Sequence, residues 1–191
     1  MGDFNQLLFL KKHLGAFEGG VIEIGSRNYG STQDFRSLFP GKDYLGVDLV
    51  AGPGVERVVN LEAEPAGDLG TYGLGICCSV LEHSSKPWVL AERLENLIAV
   101  DGYLFVSVPW VWRYHPYPDD YFRFSVRAIE SLFASFKWAA RSYSTTVVGE
   151  MFDLDQHGID LDNKIAFIKE VGKGKRKYLP YLMVNMLGRR F

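Results

Sequence analysis

Two short apolar runs, each containing or ending in an acid, constrain the fold of this chain most. One spans residues 21–25, contains Glu23 and ends at Gly25; the other spans residues 44–48 and ends at Asp48. In an open α/β sheet, such runs end at the carboxyl ends of neighbouring parallel strands, where these folds bind ligands. A glycine there lets the main chain approach a ligand closely, and an acid there can accept two hydrogen bonds from a ribose diol. Gly25 and Asp48 therefore predict a nucleoside-binding site.

Strand-like and helix-like segments alternate along most of the chain. Strands are predicted at residues 21–25, 44–48, 57–60, 74–79 and 103–108. Helices are predicted at residues 4–14 and 32–39. A third helix is expected to begin after the potential caps Ser84 and Ser85, and a fourth to run from Ser125 to near Phe136. This alternation predicts an α/β fold: a Rossmann-like, doubly wound, mostly parallel sheet of seven strands. The last two strands, at residues 139–148 and 164–171, lack a helical connection, so we expect an antiparallel hairpin at one edge.

A chain of 191 residues has room for one compact domain with a sizeable core. We expect this domain at residues 1–172, with an N-terminal helix within residues 1–19, followed by a basic and apolar tail at residues 173–191. Residues 178–187 are predicted to be helical. Residues 164–191 contain eight basic side chains and one acidic one, a net charge of +7 that leaves −9 on the remainder. The tail is then either a solvated extension or a contact for an anionic membrane surface or partner.

The sequence also favours a cytoplasmic location. No uninterrupted apolar stretch is long enough to span a bilayer, and the first residues lack the order of charges and apolar residues typical of a signal peptide. The two cysteines, Cys77 and Cys78, are adjacent on a predicted buried strand. Neighbours on one strand point to opposite faces and are poor disulfide partners, which fits a reducing compartment.

Six short blocks follow one another along the chain. They are the acid-x-Gly motif at Glu23 and Gly25 with Gly30, the strand ending at Asp48, residues 58–61, the x-x-L-E-H block at residues 79–83, the turn at residues 99–104, and the H-x-x-P-x-D-Y-x-R-F block at residues 115–124. In this order the blocks resemble those of class I S-adenosylmethionine-dependent methyltransferases of the type 11 group, and the resemblance covers roughly residues 20–170. Each block alone is weak, whereas the ordered set is specific.

The resemblance implies a site for S-adenosylmethionine at the carboxyl edge of the sheet. In this sequence it assigns cofactor binding to Glu23, Gly25, Ser26, Gly30, Asp48, Leu49, Asn60, Leu61, Cys78 and Ser79. No metal is predicted.

Two histidines are the candidate catalytic residues. His115 is the first choice for a general base, because imidazole titrates near neutral pH, and His83 is the second. Both also have a structural interpretation, with His83 bonded to the backbone at the start of a helix. The aromatic residues between the fifth strand and residue 124 form either a substrate wall or plain packing. We expect Asp119, Asp120 and Arg123 to form an ion-pair network that fixes this segment.

Motifs that the sequence lacks exclude some classes of methyl acceptor. It has no Asn/Asp-Pro-Pro-Tyr motif for base amino groups and no Pro-Cys pair for cytosine, and its body is acidic, so no nucleic-acid partner is expected. A small molecule, a glycan or a lipid-linked glycan remains, with O-methylation favoured. Relatives with the block at residues 115–124 often accompany polysaccharide biosynthesis.

Two alternatives stay open: an NAD-dependent oxidoreductase, and a non-catalytic scaffold that docks through its tail. The oligomeric state is left open.

Overall fold

The computed structural model describes residues 2–65, 67–154 and 181–191. Within these ranges, eight strands form one sheet in the order β3-β2-β1-β4-β5-β8-β6-β7. The strands are β1 (Val21–Ile24), β2 (Tyr44–Asp48), β3 (Arg57–Val58), β4 (Tyr72–Cys78), β5 (Ile98–Val111), β6 (Phe136–Ser144), β7 (Met151–Asp153) and β8 (Leu182–Arg190). The first five strands pair with one another in parallel, and β8 runs antiparallel to both β5 and β6. The predicted α/β, mostly parallel sheet is therefore confirmed, with eight strands where seven were expected.

Helices cover both faces of the sheet. The helix α1 (Phe4–His13) lies on one face, where Phe9 stacks on Phe105 at 5.5 Å between ring centroids. The helices α2 (Pro87–Asn96) and α3 (Val126–Leu132) lie on the other face and bury Leu94 and Ile129 completely. Apolar side chains that alternate along the strands therefore fill two separate cores.

The register of the parallel strands brings their carboxyl ends to one level. Ile24 of β1 pairs with Val47 of β2 and with Cys77 of β4. The next residue of each strand or turn then lies at the ligand-binding edge of an open α/β sheet. Gly25 and Asp48 meet there, as the sequence predicts.

The helix predicted at residues 32–39 is only a short 3₁₀ helix, Phe35–Leu38. The N–H of Gln33 donates to the carbonyl oxygen of Gly2 at 2.8 Å, so this backbone is extended against the N-terminal segment. Asp34 then caps the turn by accepting from the N–H of Arg36.

Of the serines predicted to cap helices, one does so and two do not. Ser125 accepts from the N–H of Ala128 and caps α3, which ends at Leu132 rather than near residue 136. In contrast, Ser84 and Ser85 donate their hydroxyls to the Glu62 carboxylate, and α2 begins at Pro87 without a side-chain cap.

The prediction of a helical tail is wrong for the last residues. Leu182–Arg190 is a strand between β5 and β6, and its first seven residues are buried. A continuous apolar run has the same appearance in a buried helix and in a strand buried on both faces, and here β5 and β6 require a pairing partner. The proposed docking tail therefore includes a core strand. Residues 173–180 and the strand predicted at residues 164–171 lie outside the described residues. The antiparallel edge hairpin is present, but it pairs β6 with β7.

A chain of buried polar side chains fixes the position of β8. Gln6 donates to Ser107 at 2.7 Å, Ser107 donates to Asn185 at 2.8 Å, and Asn185 donates to Ser144 at 2.9 Å. These side chains join α1, β5, β8 and β6. Because unpaired buried polar groups are costly, a shift of β8 by one residue would be strongly unfavourable. In the part of the chain that the structure describes, helices long and apolar enough to cross a membrane are absent.

The assignment of residues 182–190 to the core predicts a clear contrast between two substitutions. Met186→Ala should lower the free energy of unfolding by about 2–5 kcal/mol, because Met186 is fully buried in β8. Arg189→Ala on the same strand should cost less than about 1 kcal/mol, because its ion pair with Asp101 is exposed. Urea unfolding followed by circular dichroism measures both. Near-zero effects of both substitutions would indicate a peripheral tail.

Candidate active site at the carboxyl edge of the sheet

The turn after β1 is built on Gly25. Its φ is +75°, in the left-handed region that favours glycine, and its N–H donates to the carbonyl oxygen of Val47 at 2.8 Å. A Cβ at this position would lie 2.4 Å from Cγ2 of Val80, in the turn after β4. Any other residue would therefore push the two turns apart.

Asp48 ends β2 beside this turn. Its Oδ2 accepts from the N–H of Arg27 at 3.1 Å, and its Oδ1 accepts from the N–H of Val50 at 3.2 Å. The half-buried carboxylate is therefore held against the loop that follows Gly25. A carboxylate has about four acceptor positions, so these two bonds leave capacity for a diol.

The other residues predicted to bind a cofactor divide into two groups. Ser79, with φ +53°, follows β4, and Leu49, which is 50% exposed, follows Asp48 at the same edge. Gly30 and Asn60 are exposed in nearby loops, where Oδ1 of Asn60 accepts from the N–H groups of Glu62 and Ala63. The side chains of Leu61 and Cys78, by contrast, are buried in the two cores.

Glu23 and Ser26 are both buried below the turn. The Glu23 carboxylate accepts from the hydroxyl of Tyr44 at 2.6 Å, and burial raises its pKa above the usual range. The hydroxyl of Ser26 has no hydrogen-bond partner among the described residues, although the side chain is only 1% exposed. A polar cleft of about 390 Å³ lies against both side chains and is also lined by Asn28, Asp34, Arg36, Gly54 and Glu56. Asp48 and Ser79 lie outside this lining.

A second group of side chains follows β4 and β5. The block at residues 79–83 forms a 3₁₀ helix, Leu81–His83, and the carbonyl oxygen of Glu82 accepts from the N–H groups of Tyr121 and Phe122. This contact folds the segment after β5 onto the turn after β4. As a result, the His83 and His115 rings lie 4.9 Å apart, and the two candidate catalytic residues are brought together.

Each histidine is oriented by hydrogen bonds to oxygen atoms. Nδ1 of His83 lies 2.5 Å from the carbonyl oxygen of Asp119. Nδ1 of His115 lies 3.0 Å from Oδ2 of Asp120, whose carboxylate also accepts from the N–H of His115 at 2.8 Å. Burial lowers the pKa of His83, so its neutral form is favoured at neutral pH.

The predicted ion-pair network forms around Asp120. Its carboxylate pairs with the guanidinium of Arg123, which holds the pKa of Asp120 well below its usual range. Arg123 also donates to the carbonyl oxygens of Trp112 and Arg113. Asp119 is not part of the pair, since its carboxylate accepts from the hydroxyl of Tyr121. The network thus fixes the loop that carries His115.

Glu82 is a site residue to which the sequence analysis gave no role. Its side chain is 1% exposed, and Oε1 lies 3.9 Å from Nε2 of His83. Oε2 has no hydrogen-bond partner in the described ranges. Burial raises the pKa of Glu82 to about 8. Its place directly before His83 was the available signal, but its burial depends on a segment 40 residues further along the chain.

The aromatic residues at the end of β5 and in the segment after it do not act as one group. Trp110 packs on Tyr143 at 4.8 Å between ring centroids, and Trp112 packs on Tyr181 at 4.4 Å. Tyr114 and Tyr117 are 69% and 78% exposed. The tryptophans therefore serve packing, and the tyrosines are free to meet a bound molecule.

The close contact at Gly25 predicts a difference between two glycine substitutions. Gly25→Ala and Gly41→Ala both place alanine at a left-handed φ, but a Cβ at Gly41 would have no neighbour within 4 Å. Gly25→Ala should therefore lower the free energy of unfolding by about 1–3 kcal/mol more than Gly41→Ala does. Equal losses in denaturant titrations would show that the two turns are not in tight contact.

The fold was compared with known proteins. No protein-family model and no curated protein matches the chain. Among solved structures, N-methyltransferase NodS from Bradyrhizobium japonicum, in complex with S-adenosylhomocysteine, superposes with a TM-score of 0.58 at 11% identity, covering 98% of this chain and 85% of NodS. A methyltransferase from Thermotoga maritima, described as a possible histamine N-methyltransferase, gives a TM-score of 0.59 at 16% identity, covering 97% and 88%.

A third structure is the 1,6-didemethyltoxoflavin-N1-methyltransferase of Burkholderia thailandensis. It gives a TM-score of 0.58 at 18% identity, covering 97% of this chain and 76% of that one. These identities are low, so the likeness concerns the architecture. The chain has the fold of the class I S-adenosylmethionine-dependent methyltransferases.

Proposed function

We propose that this protein is an S-adenosylmethionine-dependent methyltransferase that methylates a hydroxyl group of a small molecule, a glycan or a lipid-linked glycan. The observation that carries the proposal is the Asp48 carboxylate beside the tight turn at Gly25, at the carboxyl edge of a sheet with the methyltransferase fold. Asp48 retains acceptor capacity for a ribose diol.

The cofactor supplies a methyl group on a sulfonium, which is already a reactive donor. The protein's task is then to align the reacting groups and to exclude water. We assign binding of the cofactor's ribose to Asp48. Main-chain contacts to the cofactor are assigned to Gly25, Ser26 and Ser79. The buried, unpaired hydroxyl of Ser26 supports this assignment, because it lies in the turn where a polar ligand group could satisfy it.

We place the methyl acceptor at the part of the sheet's carboxyl edge that carries His83 and His115. A hydroxyl must lose its proton as it attacks, and an oriented imidazole can handle that proton. In both rings Nδ1 is hydrogen-bonded to an oxygen atom of the protein. Nε2 is therefore the nitrogen that can face the hydroxyl group to be methylated. Exposed Tyr114 and Tyr117 on the same loop would meet an acceptor that carries a sugar ring.

Two further observations support the acceptor class and the location. The similar structures include enzymes named for small-molecule acceptors, and the acidic body does not favour nucleic acid. Cys77 and Cys78 are free and buried, which is compatible with a reducing cytoplasm.

Cofactor binding can be tested with S-adenosylhomocysteine. Calorimetry on the wild-type chain should detect one site, and Asp48→Ala should weaken it about 10–100-fold through loss of the ribose hydrogen bonds. Asp43→Ala is the matched control, because Asp43 directly precedes β2 at the opposite end of that strand. It removes the same charge and should leave the affinity unchanged.

The same titration should be repeated with NAD. Binding of NAD in place of S-adenosylhomocysteine would overturn the methyltransferase proposal in favour of an oxidoreductase. Equal loss of affinity in Asp48→Ala and Asp43→Ala would mean that general charge, rather than a ribose contact, determines binding.

Acceptor chemistry can be tested by screening transfer of a labelled methyl group to nucleotide sugars and glycan ends. On the acceptor so found, His115→Ala should lower turnover at least 100-fold while changing the affinity for S-adenosylhomocysteine less than threefold. His13→Ala, on α1, is the control and should retain turnover. Parallel losses of turnover and cofactor affinity in His115→Ala would assign His115 a structural role.

A further inference from the structure

Glu82, His83 and His115 form a compact group of potential metal ligands. One ligand atom from each lies within 4.8 Å of the other two. They come from two different turns, after β4 and after β5, which the backbone contacts of Glu82 hold together. The group is therefore built by the fold rather than by one flexible loop.

The hydrogen bonds of both imidazoles determine which nitrogen is available. A carbonyl oxygen can only accept, so Nδ1 of His83, which lies 2.5 Å from the carbonyl oxygen of Asp119, carries the proton. Nδ1 of His115 lies between Oδ2 of Asp120 at 3.0 Å and the carbonyl oxygen of Arg113 at 3.1 Å, and carries a proton for the same reason. Nε2 of each neutral ring is then a lone-pair donor. Metal-bound histidines are held in this way, with the second ring nitrogen donating to a carboxylate or a carbonyl.

The carboxylate of Glu82 supplies the second observation. Its Oε2 is buried and has no hydrogen-bond partner among the described residues, while the neighbouring carboxylate of Asp120 is already paired with Arg123. A buried carboxylate oxygen without a partner is unfavourable unless a cation or a donor satisfies it. The carboxyl group of Glu82 thus lies beside two imidazole lone pairs.

We propose that Glu82, His83 and His115 bind a divalent first-row transition-metal ion such as Zn²⁺, Co²⁺ or Mn²⁺. Two imidazole nitrogens and one carboxylate are a ligand set typical of these ions, and three protein ligands leave open positions. Metal bonds of about 2.0–2.2 Å place three ligand atoms spread around one ion roughly 3–3.8 Å apart, so the widest pair must approach by about 1 Å, which side-chain rotation can supply. The side chains of His83 and His115 are 15% and 21% exposed, which gives an ion access from solvent.

The role of the ion rests on the proposed function. An ion at this place would bind the acceptor hydroxyl at an open position and lower its pKa, so that the hydroxyl proton passes to solvent water as the methyl group leaves the sulfonium. His83 and His115 would then act as ligands in place of the base role assigned above. A vicinal diol could occupy two such positions, so a sugar acceptor suits the site.

Binding can be measured with Co²⁺, whose visible absorption reports imidazole coordination. The full chain, freed of metal with EDTA and dialysed, should bind about one equivalent of Co²⁺ in the absence of S-adenosylhomocysteine, and Zn²⁺ should displace it. His83→Ala, His115→Ala and the shape-conserving Glu82→Gln should each weaken binding at least tenfold. His13→Ala should bind as the wild type does. Absence of the band at 1 mM Co²⁺, or binding that none of the three substitutions weakens, would overturn the site.

Cofactor binding in the same samples separates this proposal from the proposed function. Co²⁺ binding without binding of S-adenosylhomocysteine would support the metal site and overturn the methyltransferase proposal. Binding of S-adenosylhomocysteine with methyl transfer undiminished in EDTA would overturn the role of the ion in the reaction.

Discussion

The contact between the turns after β1 and β4 is the constraint on which the rest of the site depends. Gly25 adopts a left-handed conformation and packs so closely against Val80 that a Cβ would overlap with it. This contact determines the distance between Asp48, held by the β1 loop, and the short helix that begins one residue after Val80. The proposed cofactor and acceptor sides of the edge are thus joined through one glycine.

Buried acids contribute to both sides of this edge in different ways. Glu23 lies below the β1 turn and is bonded by Tyr44, so it supports β1 and β2. Glu82 lies below the β4 turn with one oxygen unpartnered among the described residues. Asp120 is charged, is paired with Arg123 and orients His115. Burying carboxylates is costly, and folds retain them mostly where they position a functional group or a cation.

Features that depend on where strands end could be predicted from the sequence. The five parallel strands, Gly25 and Asp48 were predictable because apolar runs end where parallel strands meet a common edge. The strand β8 was not, because its apolar run has no period that distinguishes a buried strand from a helix. The burial of Leu61 was also missed, since it comes from the core that Leu61 shares with residues distant in sequence. The burial of Glu82 depends on residues 121 and 122 folding back onto its carbonyl oxygen, a contact that no local pattern encodes.

A crystal structure of the chain with S-adenosylhomocysteine tests the central claim most directly. The account predicts the ribose hydroxyls within hydrogen-bonding distance of the Asp48 carboxylate, with the ligand against the main chain of Gly25. A ligand bound elsewhere, or an Asp48 carboxylate turned away from the ribose, would contradict it.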